Sequence, residues 1–487
     1  MLSTPREVLL VTETLQKKGF EAYLIGGCVR DLLMGKKPRD WDITTNAKPE
    51  QIQGFFKETF YENEYGTVGV VNKETDDETL RVVEVTPYRT EETYSDKRRP
   101  DKVTFSTHIE DDLRRRDFTI NAIAYDPANE TLIDLYKGQG DIKDKIIRAV
   151  GNAQERFDED ALRIMRAVRI ATELNFKIEI ETGKAIEIFA KNLKHIAMER
   201  VREEFSRIIL SPHPMDGIKL LNTYGILKHI VPEIEGGISI EQNGDHIYDV
   251  WEHNLRAVQH AANSNWPLHV RLAALFHDVA KPETRRWSKE KNDWTFYGHD
   301  VVGGQKAKTT LKRLKYSRET VDVVQKLVRW HLFFSDIDKI TLSAVRRLVR
   351  NVGPENVWDL MKVRACDRIG MGRPKEKPYR LRKYESMIEE AARAPVTVVM
   401  LKINGEIIMK TTSEKPGPRV GFILHALLEE VLDDPGLNTK EYLKQRASEL
   451  AKLSEKDLKK LGEAGKKKRV EEEAREIAII RKKYWVK

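Results

Sequence analysis

Two short stretches near the N-terminus decide the fold of this chain, Gly26-Gly27-Cys28-Val29-Arg30-Asp31 and, just downstream, Asp40-Trp41-Asp42-Ile43. The apolar run Ala22–Ile25 ahead of the glycine pair reads as a strand, and residues 29–34 read as a short helix, so Gly26 and Gly27 occupy a strand-to-helix turn. Glycines at such a turn let backbone N–H groups approach an anion closely, and Arg30 projects from the first helical turn. After the turn Gly35-Lys36-Lys37-Pro38, residues 40–43 alternate with the period of a half-buried strand. Alternate residues on one strand share a face, which sets Asp40 beside Asp42. Like charges so placed repel unless a cation lies between them, and Mg²⁺ carrying nucleotide phosphates suits one or two carboxylates. A tight turn and a solvent-facing charged strand would each explain one stretch; their close succession argues for a phosphate site.

Upstream, residues 4–18 read as a helix with Val8, Leu9, Val11 and Leu15 on one stripe. Strand-like runs at 67–72 and 79–86 complete a small mixed sheet. From Arg156 helical periodicity dominates, with breaks at 211–214, 236–237 and 372–374. The expected fold class is α+β, with a head at 1–150, a neck at 151–215, a helical body at 216–372 and a helical tail at 373–487. The segment from Leu453, rich in Lys and Glu, reads as a solvated helix or a frayed tail.

The 487 residues, 40% hydrophobic and 33% charged, exclude a disordered tail or a lone small domain. With 85 Lys+Arg against 77 Asp+Glu the net charge is +8, which points to a partner only where it is clustered. Apolar stretches such as 396–399 are far shorter than a membrane span, and Arg6, Glu7 and Glu13 interrupt any signal peptide. Two cysteines, Cys28 and Cys366, make neither a disulfide framework nor a thiolate zinc site, so a cytoplasmic location is expected, with no membrane partner.

The glycine pair and the two aspartates resemble the signature of class II tRNA nucleotidyltransferases and bacterial poly(A) polymerases, within the polymerase β-like nucleotidyltransferase superfamily. Further blocks agree in order: Tyr88-Arg89-Thr90-Glu91 running to Arg98-Arg99-Pro100; Asp112 through Arg115-Arg116-Asp117-Phe118-Thr119-Ile120-Asn121-Ala122; Asp134 to Asp141; Glu159-Asp160-Ala161-Leu162-Arg163; and Glu199-Arg200 to Glu203. The resemblance is strong over about the first 210 residues and loose beyond them. It departs from the pattern at Pro87 and Leu135, in the loop and hinge.

The resemblance implies attack by the 3′-hydroxyl of tRNA on the α-phosphate of CTP or ATP, with release of pyrophosphate. Asp40 and Asp42 would hold Mg²⁺, and Glu84 is either a third carboxylate or a surface glutamate. Arg30 and Arg116, with Gly26, Gly27 and Asn121, would serve the triphosphate. The arginine-bearing loop 86–107 has no apolar core, reads as mobile, and looks like the family's flexible loop, which leans against CC-only addition.

Asp160 and Arg163 stand three apart in a helical run and so neighbour one another. A surface ion pair would account for them. Base chemistry offers another account. Cytosine and adenine both present an amino donor beside a ring-nitrogen acceptor, whereas uracil and guanine present the reverse, so a carboxylate with a guanidinium would take CTP and ATP. The family assigns this role to the matching pair, and Arg166 and Arg169 would lie near the triphosphate or brace the template.

A second constellation follows. His253, His277-Asp278 at the close of a helical run over 272–280, His299, His331 and Asp367 suit a transition metal such as Mn²⁺, Ni²⁺, Co²⁺ or Fe²⁺. The pattern resembles HD phosphohydrolases, with His253, His277, Asp278 and Asp367 as the matching ligands and His299 and His331 available to a second metal or a substrate phosphate. In the tail, Pro416-Gly417-Pro418 is a rigid turn before an amphipathic helix. Basic residues of neck, body and tail would meet the acceptor stem and elbow of tRNA. The functional expectation is CCA addition. The alternatives are an A-adding enzyme or poly(A) polymerase and, from another class, an HD phosphohydrolase with a degenerate nucleotide-binding head.

Overall fold

The computed structural model describes residues 2–62, 66–92, 102–244, 246–333, 340–393 and 398–487; Arg98, Arg99 and Pro100 lie outside the described residues. The chain divides into two compact units, Met1–Leu332 with Lys362–Pro374, and Phe333–Met361 with Lys375–Lys487. The boundaries expected at 150 and 215 fall inside the first unit.

The first unit opens with α1 (Arg6–Lys17), β1 (Ala22–Ile25), α2 (Gly27–Leu33), β2 (Asp42–Thr45), α3 (Pro49–Phe55), β3 (Thr59–Tyr61), β4 (Val68–Val71) and β5 (Val82–Pro87). A separate hairpin of β6 (Arg89–Glu92) and β7 (Lys102–Phe105) follows, then α4 (Ile109–Arg114), β8 (Ala124–Asp126) and β9 (Thr131–Ile133). Seven strands form one sheet in the order β3-β4-β5-β2-β1-β8-β9, with β2 and β5 its parallel pair. Val8, Val11 and Leu15 of α1 pack with Leu24, Ile43, Ile52, Val83 and Val85 in one core, each fully buried aliphatic side chain contributing about 1.5–3 kcal/mol.

The structure departs from the sequence reading at several points. Strands β3, β8 and β9 were not expected; at three residues each they are too short to show a period. The loop 86–107, expected to be mobile, carries β6 and β7 among its described residues, paired antiparallel from Arg89 with Phe105 to Glu92 with Lys102. Helix α2 begins at Gly27 rather than Val29. Strand β2 begins at Asp42, so Asp40 lies in the bend ahead of it.

The chain continues through α5 (Gly138–Asp144), β10 (Ile146–Ile147), α6 (Ala153–Glu159), α7 (Leu162–Leu174), β11 (Lys177–Ile178), α8 (Ile180–Phe189), α9 (Met198–Leu210), α10 (Pro214–Thr223), α11 (Leu227–Ile230) and α12 (Pro232–Glu235). Next come α13 (Val250–Asn263), α14 (Leu268–Phe276), α15 (Lys281–Thr284), the hairpin β12 (Arg286–Ser288) and β13 (Asp293–Thr295), α16 (His299–Arg313) and α17 (Arg318–Trp330). The remaining helices are α18 (Leu342–Val352), α19 (Val357–Gly370), α20 (Tyr379–Ala392), α21 (Gly405–Thr412), α22 (Pro418–Asp433), α23 (Lys440–Leu450) and α24 (Glu455–Lys483). The breaks expected near 211, 236 and 372 coincide with helix ends. Helix α24 is not frayed: Gly462 lets it close on α22 so tightly that a Cβ there would lie 2.7 Å from Phe422.

Candidate active site and metal centre

Strand β5 buries Val83 and Val85, so Glu84 faces the opposite side of the sheet. In the parallel ladder Asp42 pairs with Glu84 and Ile43 with Val85, which puts the two carboxylates on one sheet face. Asp40, from the bend, joins Asp42 in the wall of a cleft of ≈ 370 Å³. The expected meeting of two carboxylates is thus made by a bend and a strand rather than by one strand. Burial, then Asp40 and Glu84, pushes the Asp42 carboxyl up to about 7, and burial with Glu62 and Asp40 raises Glu84. Acids that hinder one another's ionisation in this way form an all-oxygen donor set that fits Mg²⁺. Gly26, at φ 83°, is required here, since a Cβ would lie 3.0 Å from Arg116 Nη1 and 3.5 Å from Asp42 Oδ2.

The same cleft presents seven basic side chains, Arg30, Lys36, Lys37, Arg39, Arg166, Arg169 and Arg207, against Asp31, Asp40, Asp42 and Glu173; Gly27 and Asn121 also line it. A hydrogen-bonded series links α2 to α7. Arg30 Nη1 donates to Asn121 Oδ1 (2.8 Å), Asn121 Nδ2 donates to Asp117 Oδ1 (3.3 Å), and Arg166 Nε donates to Asp117 Oδ2 (2.8 Å). Burial alone would raise the Asp117 carboxyl, but the Arg166 guanidinium brings it down to about 2. Arg169 is fixed by Glu204 (2.5 Å) and Glu173 (2.7 Å). Arg116 is not among the cleft-lining residues; it lies behind Gly26 and donates to Asp112 at 3.0 Å. The sequence reading assigned no role to Asp117, Lys36, Lys37, Arg39 or Arg207. For the lysines the basic turn between the glycine pair and the aspartates was the available signal.

Asp160 and Arg163 do not share a helix, because α6 ends at Glu159 and α7 begins at Leu162. Asp160 Oδ1 accepts from the Leu162 N–H (2.9 Å) and Oδ2 from Arg200 Nη2 (3.1 Å). Arg163 is buried and donates to Glu159 Oε2 (2.7 Å) and the Arg115 carbonyl (3.1 Å). The surface ion pair is therefore not formed.

The second constellation gathers in a buried knot. His253 sits on α13, His277 and Asp278 follow α14, His299 opens α16, His331 follows α17, and Asp367 is on α19. Asp278 Oδ2 lies 3.0 Å from His253 Nε2 and 3.3 Å from His277 Nε2, while Asp367 Oδ1 lies 3.4 and 3.6 Å from the same nitrogens. Asp278 Oδ1 lies 3.3 Å from His299 Nε2 and 3.6 Å from His331 Nε2. The Nδ1 atoms of His277, His299 and His331 face the carbonyls of Ala274, Phe296 and Val328 at 2.8, 2.6 and 2.7 Å. A carbonyl only accepts, so each Nδ1 bears a proton and each Nε2 is left for the centre of the knot. Burial disfavours charge on His277, yet Asp278 and Asp367 push it up to about 10.

Two ligand groups share Asp278: one with His246, His253 and Asp367, the other with His299 and His331. This nitrogen and oxygen donor set fits first-row transition ions. The sequence reading missed His246, which stands in a loop and follows no periodicity.

Comparison with known proteins agrees with this layout. Residues 22–148 match the family "Poly A polymerase head domain", 175–237 "Probable RNA and SrmB- binding site of polymerase A", and 250–380 "HD domain". A CCA-adding enzyme of Ligilactobacillus salivarius is 46% identical over 44% of this chain and 52% of its own, so the chain spans about half the length of that curated relative. A CCA-adding enzyme of Geobacillus thermodenitrificans is 30% identical over 93% of this chain and 98% of its own. The crystal structure of the Bacillus stearothermophilus CCA-adding enzyme in complex with CTP superposes with a TM-score of 0.61 at 29% identity, over 92% of this chain and 98% of that one.

Proposed function

The chain belongs to the family of CCA-adding enzymes, and from that premise we propose that it adds C, C and A to the 3′ end of tRNA from CTP and ATP, releasing pyrophosphate. The observation that carries this reading is the cleft in which Asp40 and Asp42 stand opposite an excess of basic side chains, with Glu84 beside Asp42 in the ladder. Asp40, Asp42 and Glu84 would hold a divalent cation such as Mg²⁺, which when bound supplies charge neutralisation to the transferred phosphoryl group.

The chain's own residues do the rest. Arg30, Arg166 and Arg169 meet the triphosphate with guanidinium groups already fixed by Asn121, Asp117, Glu173 and Glu204, so little side-chain freedom is lost on binding. Gly26 and Gly27 keep the strand-to-helix turn free of Cβ atoms beside Asp42 and Arg30. Arg116 works from behind, lowering the charge repulsion at Asp42. Asp160 and Arg163 choose the base, which requires both to exchange their present partners, Arg200 and Glu159, for the nucleotide.

The tRNA strand is the partner. A second cleft of ≈ 670 Å³, between α9 and the turn joining α16 to α17, sets Arg202, Lys308, Lys312, Lys315 and Arg318 against Glu199 and Asp322, with Tyr316 beside them. Its clustered charge suits an RNA backbone. The names of the relatives favour complete CCA addition over the A-only and poly(A) readings. Among the described residues no helix is long and apolar enough to cross a membrane. Cys28 and Cys366 sit in separate hydrophobic clusters as small core residues, which supports a reducing, cytoplasmic setting.

The test supplies tRNA lacking all three terminal nucleotides, tRNA ending in C and tRNA ending in CC, with CTP, ATP or both. Completion of CCA on the shortest acceptor is expected. Addition confined to the CC-ended acceptor, or long A tails, would overturn this reading in favour of an A-adding enzyme or a polymerase. A second reading, metal-dependent phosphohydrolysis, is favoured at the body by the two ligand groups that share Asp278.

A further inference from the structure

Between Asp278 and His299 the chain inserts the hairpin of β12 and β13, none of whose residues lines the head cleft. Strands of three residues have little stability alone, and this pair is held by Trp287 set edge-on to its cross-strand partner Trp294, with ring centroids 5.2 Å apart and planes at 80°. The hairpin is tied to the histidine knot from both sides. Asp293 Oδ2 accepts from the Gly244 N–H (3.2 Å) in the loop that carries His246, and the Phe296 carbonyl accepts from His299 Nδ1 (2.6 Å).

The aromatic surface is nonetheless left open to solvent, with Trp287 50% and Tyr297 74% exposed. The surrounding charge is mostly basic. Arg285 lies 3.7 Å over the Trp294 ring while also reaching Glu241, and Lys291 Nζ donates to Tyr297 Oη (2.8 Å). Arg286 and Lys289 add to the positive side, against Glu290 and Asp293. Exposed rings among cations complement a nucleobase joined to its phosphate. Tyr297 stands two residues before His299 of the knot, roughly 7 Å of chain at most, so a base stacked on its ring can belong to a nucleotide whose phosphate faces the knot.

We propose that Trp287 and Tyr297, on and beside this hairpin, form a base-stacking platform that delivers a nucleoside phosphate, free or at an RNA 3′ end, to the His253–His277–Asp278 knot. Turnover there rests on the phosphohydrolase reading above; binding does not.

Equilibrium dialysis of the full chain with uridine 3′-monophosphate and with a short oligouridylate, without added metal and with CTP filling the head, keeps both probes out of the nucleotide cleft; Lys308→Ala/Lys312→Ala in every protein compared weakens the basic cleft for the oligouridylate. The Trp287→Ala/Tyr297→Ala double variant, with its fold checked by circular dichroism, should bind these probes about tenfold more weakly. Ribose phosphate, which has no base, should bind both proteins equally. A larger loss for the oligouridylate than for the mononucleotide identifies an RNA strand as the source; equal losses identify a free nucleotide. Unchanged nucleotide affinity in the double variant, or wild-type affinity no greater for the nucleotide than for ribose phosphate, overturns the platform. Turnover of uridine 2′,3′-cyclic phosphate with Mn²⁺ is then measured, and a raised KM with kcat retained in the double variant supports the platform in catalysis. No turnover by the wild type, with the binding difference intact, removes the hydrolase reading and leaves the platform standing.

Discussion

Glu84 stands directly across the parallel ladder from Asp42, so that two neighbouring strands present their carboxylates to one face of the sheet. Burial first, and then the neighbouring charges of Asp40 and Glu84, push the Asp42 carboxyl up to about 7.

Asp42→Asn should therefore abolish nucleotide incorporation while leaving the melting temperature unchanged or slightly raised, because a buried repulsion is removed. Glu84→Gln should lower single-turnover incorporation by about 10–100-fold, the usual range for a group that supports a metal site. Wild-type rates for Glu84→Gln would reduce it to a surface glutamate.

Asp160 has two duties that a substitution can separate. Its Oδ1 caps the start of α7 through the Leu162 N–H, so Asp160→Ala costs about 1 kcal/mol of stability whatever its part in catalysis. Asp160→Asn keeps a capping oxygen and removes the acid. An assay with all four nucleotides should then show incorporation of UTP or GTP rising relative to CTP and ATP, with the melting temperature nearly retained. Selectivity unchanged in this variant rules out the base-choosing role.

The contrast between Asp42 and Asp160 shows where sequence reading succeeds. Asp40 and Asp42, and His253, His277, Asp278 and Asp367, were legible because residue types of unusual chemistry stood at close or ordered spacing, and the fold brought each set together. The break between α6 and α7 was not legible, since Asp160-Ala161 contains neither Gly nor Pro and the apolar period runs on through it. Asp117 carries no sign of its role in the sequence because its partner Arg166 is 49 residues away, and only tertiary packing joins them. His246 lies in a loop where no period exists to mark it.

The Asp117–Arg166 pair predicts an acid-sensitive share of stability. A carboxyl near 3.9 in the unfolded chain and about 2 in the folded one contributes about 3 kcal/mol at neutral pH. Because the folded value is the lower, this stabilisation is complete above the unfolded pKa and is lost as pH falls toward and through about 2. Urea unfolding of wild type and Asp117→Asn should show the wild type's advantage at pH 7 narrowing by pH 3. A constant gap would mean that the pair is not the source.

Asp278 belongs to both ligand groups of the body, whereas His331 belongs to one. In an Asp42→Asn background, which weakens the head site, equilibrium dialysis with Mn²⁺ should give two ions per chain, one when His331→Ala is added and none tightly held when Asp278→Ala is added. Equal loss in the two variants would argue for a single centre.

The basic cleft of Arg202, Lys308, Lys312, Lys315 and Arg318 predicts how tRNA affinity depends on salt. Arg202 Nη1 donates to the Lys315 carbonyl (2.6 Å), so it partly builds the cleft and is a poor test residue, whereas Lys312 is exposed and near the end of α16. If Lys312 neutralises one phosphate, binding releases about one counterion fewer in Lys312→Ala. The slope of log affinity against log salt should then become shallower by roughly 0.7–0.9, with kcat at saturating tRNA unchanged. Adding Lys308→Ala should flatten the slope again by a similar amount, since the two side chains line the same wall of the cleft at helical spacing. An unaltered slope in both variants would remove this cleft from the tRNA path and leave its charge as an ordinary solvated helix face.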